Sequence, residues 1–280
     1  MKFCIIGGDL RNFFLAQLLS KEKNEVKIYG FKKLENFKEF EEYDKMISNS
    51  DIIIFPIPFT RDKVTLNMPF SDRNIEIKEL IEKLENKTIF AGNIDNDIVE
   101  KMKSKNNNVI DIMKKDEFAV LNAIPTAEAT IEIIFKHTKK ILQGSNILIL
   151  GFGRIGKVLA YKLKALSTNV TCVITNEVEK AWAMVYGYET IDIESMKNNG
   201  SKLKQYDVII NTIPKIILEE ELKEIRKETL IIDLASKPYG IDRNIVEREN
   251  LNFIEALGLP RKICSNYISK MYEGNYKTMY

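Results

Sequence analysis

The stretch Gly144-Ser145-Asn146-Ile147-Leu148-Ile149-Leu150-Gly151-Phe152-Gly153-Arg154-Ile155-Gly156, with residues 157–166 behind it, decides the fold. Ile147, Leu148, Ile149 and Leu150 run without a break into a GxGxxG pattern. Apolar residues then recur at Val158, Leu159, Leu163 and Leu166, the spacing of one helical face. The pattern predicts a strand, a glycine turn and a helix. Gly151 permits the tight turn, Gly153 leaves a pyrophosphate room against the backbone, and Gly156 lets the helix approach its strand. The helix N-terminus at Arg154 and Ile155 adds outward N–H groups and a partial positive charge. Gly151, Gly153, Arg154, Ile155 and Gly156 are therefore expected to hold a dinucleotide. The structural alternative is a glycine turn in a Rossmann-like domain that binds nothing.

Beyond the turn the chain continues as an α/β unit. The strand expected at 170–174 ends in Ile174-Thr175-Asn176, with Glu177 one step later. NAD sites usually carry an acid at this strand tip for the ribose hydroxyls. Thr175 and Asn176 can hydrogen-bond a phosphate or a hydroxyl without repelling a 2′-phosphate, which favours NADP, while Glu177 keeps NAD open. Two further strands, near 207–211 and 230–234, end in polar turns. Thr212 and Pro214 of the first and Ser236 and Lys237 of the second are expected at the cofactor crevice. Lys237 binds an acidic group or supplies a proton, or else is an ordinary loop lysine.

The first half reads as α/β as well. Strands are expected at 3–6, 26–29, 51–55, 88–91 and 108–112, and helices at 10–18, 75–84 and 97–103. Gly7-Gly8 lacks the complete fingerprint, so its turn is read as the lining of a substrate cleft. Arg11, one turn into the helix, is a candidate for holding a carboxylate, or else a surface arginine near a helix start. Residues 116–143 connect the halves. Ala127, Ile131, Ile134 and Phe135 trace a helical face behind Pro125, which suits a first helical turn. Glu128 is then a general base or a substrate-orienting acid, against a first-turn acid that complements the helix dipole. His137, the sole histidine, is more often structural than catalytic at such a position. The fold class expected is α/β, with two Rossmann-like domains (doubly wound parallel sheets) at 1–124 and 144–261 joined by a connector helix at 125–143. A tail helix at 262–280 is expected to return to the first domain.

Composition narrows the function classes. Across 280 residues, 42 Lys+Arg face 40 Asp+Glu, a formal charge of +2 that favours neither nucleic acid nor an anionic membrane surface. No apolar stretch approaches the roughly 20 residues that span a bilayer, and Met1-Lys2 leads straight into a strand, so a cytoplasmic protein is expected. Three cysteines make neither a disulfide framework nor a metal cluster, and no metal site is expected. Cys4 and Cys172 read as core residues and Cys264 as an exposed one.

Taken together, the strings of this chain resemble one family, the dipicolinate synthase A subunits. They are Gly7-Gly8-Asp9 with Arg11, Ile124-Pro125-Thr126 with Glu128 and Thr130-Ile131, His137-Thr138, Gly144-Ser145, and Gly151-Phe152-Gly153-Arg154 with Gly156. They continue through Ile210-Asn211-Thr212-Ile213-Pro214, Asp233-Leu234-Ala235-Ser236 with Pro238 and Gly240, and Ala256-Leu257-Gly258-Leu259-Pro260. More distantly, Ala127-Glu128-Ala129-Thr130 is similar to the matching helix of D-2-hydroxyacid dehydrogenases, which share the two-domain plan. The resemblance implies oxidation of dihydrodipicolinate, or its hydrated precursor 4-hydroxytetrahydrodipicolinate, to pyridine-2,6-dicarboxylate with NADP or NAD as acceptor. It further implies a partner, the flavoprotein-like B subunit, and work in the mother-cell cytoplasm of a sporulating bacterium. A homo-oligomer is expected. Arg11, Asn122, Thr126 and Ser236 are the substrate-binding candidates and Glu128, His137 and Lys237 the catalytic ones. The chain departs from the family pattern at 261–268 and at Tyr239, where the family has glycine. The alternatives are a D-2-hydroxyacid or alanine-dehydrogenase-like oxidoreductase and a non-catalytic nucleotide-binding subunit.

Overall fold

A computed structural model of the chain describes residues 1–34 and 42–259. The expected tail helix, the departure at 261–268 and Cys264 lie outside the described residues. Two compact units divide between Leu121 and Asn122.

In the first unit, β1 (Lys2–Ile6), β2 (Glu25–Tyr29), β3 (Ile52–Ile54), β4 (Thr88–Ala91) and β5 (Asn108–Asp111) alternate with α1 (Leu10–Lys21), α2 (Tyr43–Ser48), α3 (Ile77–Glu82) and α4 (Asn96–Lys103). The strands form one parallel sheet in the order β2-β1-β3-β4-β5. Side chains alternate across a pleated strand, so a sheet covered on both faces needs apolar residues at consecutive positions. Cys4 and Ile6 accordingly enter one core cluster, while Phe3 and Ile5 enter the cluster on the other face.

The helix α5 (Asp116–His137) runs across the division between the units. It starts nine residues before Pro125, which lies inside it. The expectation of a helix beginning at Pro125 is therefore corrected. The acidic pair Asp116 and Glu117 marks the true first turn, where acids complement the dipole. Among the described residues α5 is also long and apolar enough, by length and composition, to cross a bilayer, contrary to the expectation. Its Ala127, Ala129 and Ile134 pack into the core of the second unit.

In the second unit, β6 (Asn146–Leu150), α6 (Arg154–Ala165), β7 (Asn169–Ile174), α7 (Glu177–Val185), β8 (Glu189–Asp192) and α8 (Ile193–Asn198) precede β9 (Val208–Asn211), β10 (Leu230–Asp233), α9 (Arg243–Arg248) and β11 (Phe253–Glu255). The sheet is parallel, in the order β11-β10-β9-β6-β7-β8. From β6 the chain steps outward to β8, then returns to build β9, β10 and β11 on the other side. The reversal puts a topological switch point between β6 and β9, at whose carboxyl ends open α/β sheets bind ligands. Ile147 and Ile149 enter the core cluster on one face, Leu148 and Leu150 that on the other. The two Rossmann-like units are the expected fold class.

Candidate functional site

The glycine turn stands at the switch point of the second unit. Gly151 takes φ 97°, and a Cβ there would lie 2.7 Å from Thr212 Oγ1 and 2.7 Å from Ile213 Cγ1. Gly156 is fixed by packing, because its Cβ would lie 2.1 Å from the Gly151 carbonyl oxygen. Gly153 differs from both. It caps α6 with an ordinary φ of −72°, and a Cβ there would meet no heavy atom within 4 Å. Among the described residues no neighbour crowds this position, which glycine suits as an N-cap, and a pyrophosphate laid on the turn would need that space. The first turn of α6, with Arg154 and Ile155, carries no acid. A helix N-terminus of this kind favours an anion through its dipole and N–H groups. By these tests the cradle fits a dinucleotide.

The neighbouring strand ends complete this edge. Thr212 hydroxyl donates to the Leu150 carbonyl at 2.8 Å, tying β9 to β6, and Pro214 follows exposed. The fully buried Asn211 and Asp233 join the tips of β9 and β10 through a 2.7 Å hydrogen bond. Asp233 also accepts the Ala235 N–H at 3.0 Å and the Gly240 N–H at 3.2 Å, and so shapes the loop that presents exposed Ser236 and Lys237. Sequence reasoning missed this anchor.

At the end of β7, Thr175 and Asn176 are exposed as expected, but their polar groups are engaged. Thr175 donates its N–H (2.8 Å) and its hydroxyl (2.9 Å) to the same oxygen of Glu179, Oε2. Asn176 caps α7 by accepting the Glu179 N–H at 2.9 Å. An acid therefore does reach this strand tip, from one turn inside the helix rather than from the tip itself. Asn176 with an acid three residues on, the spacing of a capping box, was the signal available in the sequence.

Four candidates fall elsewhere. Glu128 is exposed and pairs with Lys162 at 2.8 Å. Lys162 lies eight residues along α6 from Arg154, about 12 Å from the turn at 1.5 Å per residue. Glu128 is thus corrected from a cleft-facing base to an ion pair on the flank of α6. His137 lines a cavity of about 340 Å³ with Lys140, Ser145, Asp207, Arg226 and Asn252, residues at the amino ends of β6, β9 and β11. The five residues of β6, about 16 Å at 3.3 Å each, separate this edge from the glycine turn. As a catalytic group beside the nicotinamide end His137 is corrected as well. Thr126 is buried in mid-helix, donating its hydroxyl to the Asn122 carbonyl at 3.0 Å. No helix N-terminus exists there to receive a carboxylate, which removes the reason for placing Thr126 and Asn122 at the substrate.

In that same cavity Asp207 accepts from Lys140 (2.7 Å), the Asn146 N–H (3.0 Å) and Arg226 (3.1 Å). Burial pushes its carboxyl up, and these donors outweigh burial and hold it below its ordinary value.

In the first unit the Gly7-Gly8 turn is filled by its own chain. A Cβ on Gly7 would lie 2.6 Å from Met68 Cγ, and the Gly8 N–H donates to the Asn67 carbonyl at 3.0 Å. Arg11 is buried, with Nε 2.9 Å from Asp9 Oδ1, one Nη 2.9 Å from Asp9 Oδ2 and 2.6 Å from the Ile57 carbonyl. Its fork already grips a carboxylate, so Arg11 is corrected from substrate ligand to structural clamp. The exposed guanidinium at this edge is Arg61, in the loop that follows β3, with Nε held by Asn67 Oδ1 at 3.1 Å. No local pattern in the sequence marks it.

Comparisons with known proteins agree with this geometry. Residues 2–113 match the family model of the N-terminal domain of the dipicolinate synthase A subunit, and residues 131–257 that of shikimate/quinate 5-dehydrogenase. The dipicolinate synthase A subunit of Bacillus subtilis is 28% identical over 97% of this chain and 95% of its own length. The crystal structure of the dipicolinate synthase A subunit from Bacillus halodurans, 27% identical, superposes with a TM-score of 0.87 over 99% of this chain and 97% of that one. D-Lactate dehydrogenase from Escherichia coli, 15% identical, shares the fold at a TM-score of 0.58, covering 100% of this chain and 96% of that one. With a dehydrogenase-like unit behind an N-terminal domain matched by that family's own model, this chain is similar along nearly its whole length to the dipicolinate synthase A subunits.

Proposed function

We propose that the chain oxidises dihydrodipicolinate to pyridine-2,6-dicarboxylate, with a nicotinamide dinucleotide as acceptor. The reading rests first on Gly153, where the turn leaves room for a pyrophosphate. A bound nicotinamide supplies a hydride acceptor. The substrate loses one hydride and one proton and becomes aromatic, a step that positioning serves better than a strong base. Lys237 and Ser236, on the loop pinned by Asp233, meet one carboxylate or take up the proton. Arg61 takes the role first given to Arg11, since a guanidinium recognises a carboxylate bidentately. A hydroxylated precursor would first lose water, and Lys237 is the proton donor at this edge for that step.

A flavoprotein-like B subunit, assembly as a homo-oligomer and work in the mother-cell cytoplasm belong to the same reading, supported by the family. A D-2-hydroxyacid dehydrogenase reading needs an imidazole near the nicotinamide, and the sole histidine, His137, stands at the opposite edge of the second unit. The deciding experiment supplies dihydrodipicolinate and NAD+ or NADP+ to the purified chain, with and without the B subunit, and follows pyridine-dicarboxylate absorbance. Product with one stoichiometric equivalent of reduced nicotinamide supports the proposal. No product in any combination overturns it.

A further inference from the structure

The second unit carries a groove that none of the chemistry above uses. Its volume is about 380 Å³, within the roughly 300–1,000 Å³ of small-molecule sites. Lys157, Tyr161 and Lys162 of α6 line it, together with Tyr186 and Tyr188, which follow α7 and lead into β8. Ile124 and Val158 supply apolar lining. Tyr161 is 72% and Tyr186 55% exposed, and a cluster of open rings marks an interaction site.

The rings are held in order. Tyr186 stacks on Trp182 at 5.7 Å between centroids and leans on Tyr188 at 6.2 Å, and Tyr188 meets the buried Phe152 edge-on at 5.7 Å. Among the described residues the hydroxyls of Tyr161, Tyr186 and Tyr188 have no hydrogen-bond partner, and no carboxylate pairs with Lys157. The Lys157 ammonium lies instead 5.5 Å from the Trp182 ring centroid and 5.8 Å from that of Phe152. Lys162, by contrast, is paired with Glu128 at 2.8 Å. The groove thus offers π-faces to a flat ring and, beside them, one uncompensated cation and three O–H donors to oxygen atoms. A flat ring gains offset stacking on tyrosine, and a carboxylate gains a charge-assisted hydrogen bond from the ammonium.

We propose that this groove binds a planar aromatic carboxylate, its ring against Tyr186 and Tyr188 and its carboxylate on Lys157. The site is separate from the glycine cradle. Lys157 turns its ammonium toward Trp182 of α7, and Tyr161 lies seven residues beyond Arg154, about 10 Å along α6. Pyridine-2,6-dicarboxylate, the product of the proposed oxidation, belongs to this ligand class, so the groove gives the enzyme a place to sense its product. That link rests on the proposed function, whereas binding itself is measured without turnover.

Trp182 is the sole tryptophan and stacks on Tyr186, so its fluorescence reports on the groove. The purified full chain is titrated with pyridine-2,6-dicarboxylate, with excitation at the red edge of indole absorption, and saturable quenching is expected. Pyridine-2,6-dicarboxamide is flat but uncharged, and cyclohexanecarboxylate is charged but not flat. Each should bind about tenfold more weakly, having lost the charge-assisted hydrogen bond or the ring stack. Lys157→Met and Tyr186→Leu should each weaken the dicarboxylate by about tenfold, while Lys237→Met, at the strand ends beside the glycine turn, leaves its affinity unchanged. No saturable quenching at millimolar ligand overturns the proposal, as does equal affinity for the dicarboxamide, or binding that Lys237→Met abolishes and Lys157→Met does not. The comparison of ligands stands even where a variant fails to fold. Sedimentation velocity tests the other occupant: a dimer that Tyr186→Leu dissociates, with no response to ligand, overturns the proposal and gives the groove to a second copy of the chain. None of these failures touches the proposed oxidation.

Discussion

Tyr239 holds a left-handed backbone, φ 72°, while its ring lies 3.7 Å from the Arg243 guanidinium, which in turn pairs with Glu255. Glycine, which the resemblance leads one to expect at 239, is the residue that takes positive φ without a steric penalty. In this chain a cation–π contact offsets the strain of a bulky residue, and the contact steadies the loop carrying Ser236 and Lys237. Tyr239→Ala loses the ring and keeps the strained φ, and should cost about 1 kcal/mol. Tyr239→Gly relieves the strain and should be the more stable of the two variants. Urea titration of both variants checks the order, and the reverse order would contradict the account.

Arg61 is expected to act on substrate rather than on nucleotide. Arg61→Met should raise KM for the dicarboxylate by about tenfold or more, the worth of a charge-assisted hydrogen bond, and leave nucleotide affinity unchanged. Steady-state kinetics at saturating dinucleotide makes the comparison. An unchanged KM would remove Arg61 from the substrate.

Asp207 gathers Lys140, Asn146 and Arg226 at the edge of the sheet away from the glycine turn. Its folded carboxyl is held below the ordinary value, so its contribution is fully present above the unfolded carboxyl pKa of about 4 and is lost as pH falls through the folded one. Asp207→Ala should lower stability by about 2 kcal/mol at neutral pH and by progressively less in acid, with nucleotide affinity unaffected. Thermal melts across pH, paired with nucleotide titrations, test both statements. A loss of nucleotide binding without a loss of stability would place His137 and its cavity in the functional machinery after all.

Cys4 and Cys172 are buried strand residues, and burial pushes both thiols up to about 12. Neither forms thiolate at pH 8, so in a Cys264→Ser background both should react with a chromogenic disulfide reagent only after unfolding, and reaction of that variant in the native state would contradict their burial.

The fold is legible because it rests on apolar runs and glycine spacing, signals confined to a few adjacent residues. Ile147, Leu148, Ile149 and Leu150 announce a strand covered on both faces, and Gly151, Gly153 and Gly156 announce the turn. The start of α5 is hidden by Pro125, whose cost inside a helix, about 3 kcal/mol, makes a helix start there the better local guess. Tertiary packing of Ala127, Ala129 and Ile134 overrides that preference. The site is legible only where chemistry and backbone coincide. Arg11 carries the right group, but Asp9, two residues away, claims it. Glu179 stands four residues beyond Thr175 and joins it only through the cap of α7. Asp233 and Asn211 belong to different strands and meet only once the parallel register is formed.

The central claim is that the turn at Gly151 to Gly156 holds a dinucleotide, and Gly153→Val addresses it most directly. The position has an ordinary φ and open space where a side chain would project, so the variant should fold, losing no more than the roughly 1 kcal/mol that a poorer N-cap costs. Fluorescence titration with NADH should then show binding in the wild type and its loss, by about a hundredfold or more in Kd, in Gly153→Val. Undiminished binding in a correctly folded Gly153→Val would contradict the account.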